Sequence, residues 1–258
     1  MKIQFASDLH LEMDANKIFM EKFPLIPSAD ILILAGDTTY MNPDFLRSNF
    51  FNHISSDFKQ VYLIPGNHEF YYNRFDIEQV LYDFRLDVRH NVQYLNNSTI
   101  YPDENTRIIF STLWTYISEE KVMAIYNRMT DFHACIFAGK TFSPESQNQA
   151  HEISLKYLTS ELSKDFQGST IVVSHHVPYP ESYGVYKGEL SDAYYVDLTH
   201  LMLDNKIDHW IHGHNHWIDQ GLTFNNTMIH TNQLGYVYRD HNEAFRRDVV
   251  FESKFQPQ

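Results

Sequence analysis

Along this chain, short runs of apolar residues alternate with stretches whose apolar positions recur every third or fourth residue. The runs are Ile3 to Ala6, Ile31 to Ala35, Val61 to Ile64, Ile171 to Val173 and His209 to Ile211, each of buried-strand character. The opening pattern reads as a strand over 2–7, a helix over about 14–23, a strand over 30–35, a helix over about 43–52 and a strand over 60–65. That alternation predicts a βαβ series with a mostly parallel sheet. Ile77, Val80, Leu81 and Phe84 fall at i, i+3, i+4 and i+7 and predict a helix over about 75–88. Strands near 92–95 and 107–114 follow. Ser143-Pro144-Glu145 opens a further helix, expected to run to about Ser163, with a capping serine and a proline at the first helical position. After His216 the pattern changes. Trp217 to Phe224, Thr227 to Thr231, Gly235 to Tyr238 and Asp248 to Glu252 carry strand-like residues around the turn signal Asn225-Asn226, which predicts a second, more antiparallel sheet.

The chain has 258 residues, enough to bury a substantial core as one large α/β domain. No linker, charge block or low-complexity stretch divides it, so residues 1–258 are read as a single domain. A charged residue, Asp8, arrives before any secretory apolar region forms, and no apolar run approaches the roughly 18 residues that span a bilayer. A soluble, cytoplasmic protein with no membrane partner is the expectation. The one cysteine, Cys135, excludes an internal disulfide and reads as a small buried hydrophobe. With 20 Lys and Arg against 33 Asp and Glu, the net charge is -13. Binding to nucleic acid draws on cations that neutralise phosphates, so a dedicated nuclease is disfavoured, although bound metal ions supply local positive charge that the surface lacks. Aromatic residues are abundant, and Phe70-Tyr71-Tyr72 follows a block of chemically active residues.

Five such blocks stand directly after the apolar runs: Asp8-Leu9-His10, Gly36-Asp37, Gly66-Asn67-His68-Glu69, His175-His176 and Gly213-His214-Asn215-His216. Strand ends at one edge of an open α/β sheet are where ligands bind. Carboxylate, carboxamide and imidazole without thiolate form a hard-to-borderline donor set, suited to Mn, Fe, Zn or Mg. Taken singly, each residue has a commoner structural use. Asp8 and Asp37 are also turn or cap residues, Asn67 after glycine is a turn residue, and His53, His90, His133, His200, His230 and His241 read as structural.

In their order, D-x-H, G-D, G-N-H-E, H-H and G-H-x-H, the blocks resemble the calcineurin-like metallophosphoesterase superfamily over about four-fifths of the chain, by the span of the blocks. The resemblance implies the metallo-dependent phosphatase fold, a four-layer α/β/β/α sandwich of two mixed sheets flanked by helices. It implies two divalent or trivalent metal ions, Mn, Fe or Zn, with Asp8, His10, Asp37 and His216 holding one and Asp37, Asn67, His175 and His214 the other. Asp37 then bridges them and counts as catalytic with His68, the general acid. A metal-bridging hydroxide as nucleophile and a phosphorylated small-molecule substrate, monoester or diester, complete the implied activity. Of His212, His214 and His216, only the resemblance selects the last two as ligands, and it likewise selects His175 over His176. Thr112 to Thr115, Met129 to Phe132 and Asp192 to Leu198 resemble small stand-alone bacterial members, while Thr38 departs from the apolar residue expected after G-D. Arg74 and Lys187 are candidate cations for a phosphate dianion. The rival reading is a non-catalytic scaffold of the same fold that binds a protein partner.

Overall fold

The computed structural model describes residues 1–72, 75–183, 188–218, 221–239 and 243–253. Its strands are β1 Lys2–Ala6, β2 Ile31–Ala35, β3 Gln60–Ile64, β4 Phe84–Arg89, β5 Val92–Asn96, β6 Ser98–Asp103, β7 Thr106–Ser111, β8 Ile136–Phe137, β9 Lys140–Thr141, β10 Ser169–Ser174, β11 His209–Ile211, β12 Thr223–Phe224, β13 Thr227–His230 and β14 Val250–Glu252. Two six-stranded sheets form, in the orders β14-β1-β2-β3-β5-β4 and β12-β13-β11-β10-β7-β6, and β8 pairs with β9. In each large sheet the central strands run parallel and both edge strands antiparallel. The sheets are mixed and helices flank them, as the resemblance implies.

Burial explains the layering. Every residue of β2 is buried, because alternate side chains point to opposite faces and both faces are covered. Ile31, Ile33 and Ala35 join Ile3, Phe5, Ile108, Phe110, Ile171, Val173 and Ile211 in a core contributed by both sheets. Leu32 and Leu34 pack in a different cluster with Phe51 and Ile54 of the helix Asn49–Asp57. On the second sheet, Ile109, Val172, Trp210 and Ile229 meet Leu158 and Leu162 of the helix Pro144–Leu162. That helix starts as expected, with Ser143 Oγ accepting from the Ser146 amide at 3.2 Å.

Three local expectations are corrected. Residues 75–88 are not a helix: a single 3-10 turn spans Ile77–Val80 and β4 follows. The turn's carbonyls are taken from outside, Val80 O by Asn96 Nδ2 at 2.8 Å and Leu81 O by Asn97 Nδ2 at 2.7 Å. Asp83 then adopts φ 42°, which ends any right-handed helix. The helix anticipated over about 43–52 is two pieces, Pro43–Leu46 and Asn49–Asp57. Among its described residues, the C-terminal region builds no antiparallel sheet of its own. The hairpin at Asn225-Asn226 does form, but β13 runs parallel to β11, and β14 crosses to the first sheet to pair with β1. Gly235 to Tyr238 is no strand; it is tied by the Gly235 amide to Asp8 O at 3.1 Å and by the Val237 amide to Asn16 Oδ1 at 3.1 Å.

Where β11 and β13 approach β14, His209 Nδ1 lies 3.0 Å from His230 Nε2, and the His230 ring stacks on Phe251 at 4.5 Å. Burial penalises a charge here and pushes the pKa of His209 down to about 4. An unfolded chain would take up that proton below about pH 6.5, so the unfolded state binds more protons between the two values. Stability is therefore complete above the unfolded pKa, falls as the pH drops towards about 4, and levels off below. The slope is up to about 1.4 kcal/mol per pH unit for one such imidazole. Urea unfolding between pH 7 and 4.5 is expected to show a shallower loss for His209→Gln than for the parent, and identical slopes would refute the assignment to His209.

Candidate metal centre

The C-terminal ends of β1, β2, β3, β10 and β11 bring the five blocks to one place, and backbone hydrogen bonds lace their loops together. The amides of Asp8, His10 and Leu11 donate to the carbonyls of Gly36, Asp37 and Thr38 at 3.0, 2.9 and 2.9 Å, and the Gly213 amide donates to His175 O at 3.0 Å. Glu69 adds a buried clamp. Its carboxylate accepts from the amides of Asp37, Thr38 and Gly66 at 2.9, 2.9 and 2.8 Å and from the Tyr94 hydroxyl at 3.2 Å. Burial and the neighbouring Asp37 raise the Glu69 pKa to about 8. The tight packing leaves no room at the glycines. A Cβ on Gly36, whose φ is 89°, would meet His175 Nδ1 at 2.3 Å, and one on Gly66 would meet Asp37 Oδ1 at 2.2 Å.

Asp8, His10, Asp37, Asn67, His175, His214 and His216 all lie in this cluster, and all but His216 are buried. Five of the seven, Asp8, His10, Asp37, His214 and His216, have positive φ between 47° and 79°. Such conformations cost of order 1–3 kcal/mol each and persist where surrounding structure dictates them, which is a recurrent property of functional sites.

Hydrogen-bond roles show what the cluster is suited to hold. His175 Nδ1 faces Ala35 O at 2.9 Å and His214 Nε2 faces Ala193 O at 3.2 Å, and a carbonyl can only accept, so those ring nitrogens carry the protons. In neutral rings, His175 Nε2 and His214 Nδ1 then present lone pairs to each other across 3.1 Å. Asn67 Oδ1 at 3.1 Å and Asp37 Oδ1 at 3.4 Å from His175 Nε2 add two more acceptors. The Asn67 orientation is held through its Nδ2, which donates to the Tyr71 hydroxyl at 2.9 Å, while that hydroxyl donates to Asp131 at 3.0 Å. A second convergence lies alongside. His10 Nδ1 donates to Glu12 Oε1 at 3.0 Å, leaving its Nε2 to face His216 Nε2 at 3.0 Å and Asp37 Oδ2 at 3.7 Å. Asp8 Oδ1 stands 3.5 Å from His216 Nε2.

Each convergence needs a positive centre, either a proton or a cation. Burial opposes charge on His175, but Asp37 outweighs it and raises the pKa to about 9 without a metal, whereas burial and the adjacent His176 and His175 hold His214 well below the usual range. The donor set fits metal ions, with the two oxygens of Asp37 turned one to each group.

His68 is placed beside these groups. Its Nδ1 donates to Glu12 Oε1 at 2.9 Å, its Nε2 lies 3.1 Å from the Tyr236 hydroxyl, and Asp37 Oδ2 is 4.0 Å away. Burial disfavours its charge, yet Asp37 and Glu12 together raise its pKa to about 9. Tyr236 also packs on His10 and His216 at 4.5 and 4.7 Å between ring centroids. His176 turns away from the cluster to Thr112 O at 3.2 Å and backs the His214 ring at 4.2 Å. His212 is fully buried outside both groups, its Nδ1 3.2 Å from Gly213 O, with burial lowering its pKa to about 4. Arg74, Lys187 and His241 lie outside the described residues. Reading the sequence missed Glu12, the structural task of Glu69, and Tyr236. Glu12 had a signal, since it continues the alternate spacing of Asp8 and His10. Tyr236 had none, standing 168 residues from His68.

A family model described as calcineurin-like phosphoesterase matches residues 1–217. An uncharacterized protein of Acanthamoeba polyphaga mimivirus is 29% identical over 265 residues, covering 93% of each chain. Among solved structures, the phosphopantetheinyl hydrolase of Mycobacterium tuberculosis superposes with a TM-score of 0.67 at 17% identity, covering 92% of this chain and 90% of that one.

The close approach at Gly36 supplies a test of the packing. Gly36→Ala is expected to lose about 2 kcal/mol or more of stability in urea unfolding. Gly139→Ala also has to accept a positive φ, but nothing lies within 4 Å of its added Cβ, so about 1 kcal/mol is expected. Equal losses would show that steric contact at Gly36 contributes nothing.

Proposed function

The chain belongs to the calcineurin-like phosphoesterase family, and on that premise we propose that it is a metal-dependent hydrolase of phosphate monoesters or diesters carried by a small molecule. The observation that carries the reading is the convergence of metal-type donor atoms, His175 Nε2, His214 Nδ1 and Asn67 Oδ1 on the Oδ1 side of Asp37 and His10 Nε2 on its Oδ2 side. Asp8, His10, Asp37 and His216 would hold one ion, and Asp37, Asn67, His175 and His214 the other, the donor set being suited to Mn, Fe or Zn. When bound, the ions supply Lewis acidity to phosphoryl oxygens and make water a nucleophile near neutral pH. Because both sheets contribute donors, residues 1–258 are read as one domain.

The remaining chemistry belongs to side chains. Glu12 fixes the Nδ1–H of His68, so Nε2 is the atom turned to the reacting face, where it offers a proton to the departing oxygen. Tyr236 hydrogen-bonds that same nitrogen, marking a position that a substrate oxygen would take over. Beyond them, the exposed rings of Tyr72 and Tyr238 flank the site: Tyr72 lies 6.1 Å from Tyr71, which packs on His68, and Tyr238 lies 6.0 Å from Tyr236. Rings in this position suit the organic part of an ester.

Two experiments test this reading. Elemental analysis after reconstitution with Mn, Fe or Zn is expected to give two ions per chain, with Asp37→Asn weakening both and His10→Ala mainly one; a stoichiometry that never exceeds one would sink the binuclear assignment. In a panel of aryl monoesters, aryl diesters, cyclic nucleotides and dinucleotide pyrophosphates, at least one class should be turned over by the loaded protein. His68→Ala should keep both ions and lose on the order of 10²–10⁴ in rate on alkyl or nucleoside esters, but much less on nitrophenyl esters, which depart without protonation. Equal losses on both would assign His68 to positioning rather than to proton donation.

A further inference from the structure

We infer that Glu12 is a positioning residue that ties the metal-side imidazole of His10 to the proton-donating imidazole of His68 through a single carboxylate oxygen. The inference rests on the phosphoesterase reading above. Its geometric basis is that Oε1 alone receives both Nδ1 atoms, His10 at 3.0 Å and His68 at 2.9 Å, while the two rings sit edge to face at 4.4 Å. The Glu12 side chain is fully removed from solvent, and its other oxygen, Oε2, has no hydrogen-bond partner among the described residues. A buried carboxylate with one idle oxygen and one doubly engaged oxygen is held by those two contacts. Both histidines help keep Glu12 ionised, against the burial that opposes it.

The consequence is directional. With each Nδ1 committed to the carboxylate as a donor, each ring has only Nε2 left for the site. His10 Nε2 then faces Asp37 and His216, and His68 Nε2 faces Tyr236. A carboxylate behind a metal-binding imidazole commonly fixes its tautomer and orientation. Here the same atom does so for a second imidazole that belongs to neither group of donors around Asp37. The rotational position of the acid is thereby set relative to the metal side, and both depend on one side chain. His10, Glu12 and His68 also lie close enough to be read as a cation site of their own, but the two Nδ1–Oε1 distances are those of hydrogen bonds.

The test uses the full chain loaded with zinc, which permits nitrogen NMR of labelled histidines. The parent should show His10 and His68 protonated at Nδ1. In Glu12→Leu, His68 should become a mixture of tautomers and the affinity for one zinc should fall about 10–100-fold. Glu12→Gln keeps an acceptor oxygen and should recover the Nδ1–H form of His68, with intermediate zinc affinity. An unchanged His68 tautomer in Glu12→Leu overturns the proposal, as does a third zinc in the parent that this variant loses. Should Glu12→Leu fail to fold, a double-mutant cycle of Glu12→Gln and His68→Ala on zinc affinity takes its place. Non-additivity supports the shared oxygen, and strict additivity refutes it. None of these readings requires turnover. A protein that passes them but hydrolyses no phosphate ester would lose the proposed function while keeping the role of Glu12.

Discussion

The crowding of several ligand-type nitrogens and oxygens into one buried volume is the arrangement on which the rest of this structure depends. His175 Nε2, His214 Nδ1, Asn67 Oδ1 and Asp37 Oδ1 are turned towards one another, and only a proton on His175 or a cation reconciles them. Left to itself such a group would rotate apart or draw in water, since a buried acceptor without a partner costs about 1–3 kcal/mol. What prevents this is the second layer of contacts: carbonyls of Ala35 and Ala193 behind the two histidines, and the Tyr71–Asp131 pair behind Asn67. The frame holds these atoms in the positions a bound cation would require.

Holding such a frame requires a backbone that does not yield. Loops leaving parallel strands in adjacent registers are cross-linked by amide-to-carbonyl bonds, and Glu69 fastens the loops after β2 and β3 to one carboxylate. Left-handed conformations at five of the candidate donors are maintained by this lacing, and glycines stand where a side chain would collide with the donors themselves. Strain and close packing have the same origin, the need to bring several chain segments to one small volume.

Charge follows the same division between surface and interior. The chain is acidic overall, yet the carboxylates that matter are inside, where Asp8, Asp37 and Glu12 each meet amides or imidazoles. Negative charge concentrated at buried points attracts cations more strongly than the same charge spread over a hydrated surface. An acidic protein is thus able to present a cationic site to a phosphate once metals are bound.

Much of this was written locally. Apolar runs ending in Asp, His, Asn or Gly marked the strand ends, because a strand covered on both faces is largely apolar along its length and these loops begin where it stops. The helix opened by Ser143-Pro144 was equally legible, since capping acts over three residues. Long-range contacts decided the rest. Asn96 and Asn97 capture the carbonyls of Val80 and Leu81 and turn a helical pattern at Ile77 into a 3-10 turn and a strand. β14 leaves its neighbours in sequence to pair with β1, placing Phe251 in the core between the sheets. Tyr236 reaches His68 only because the segment carrying it is pinned to Asp8 and Asn16. Periodicity records which face of an element is buried, but it holds no information about which distant hydrogen-bonding group will claim a backbone carbonyl or which ring will arrive at a nitrogen. Those pairings exist only once the chain has closed on itself.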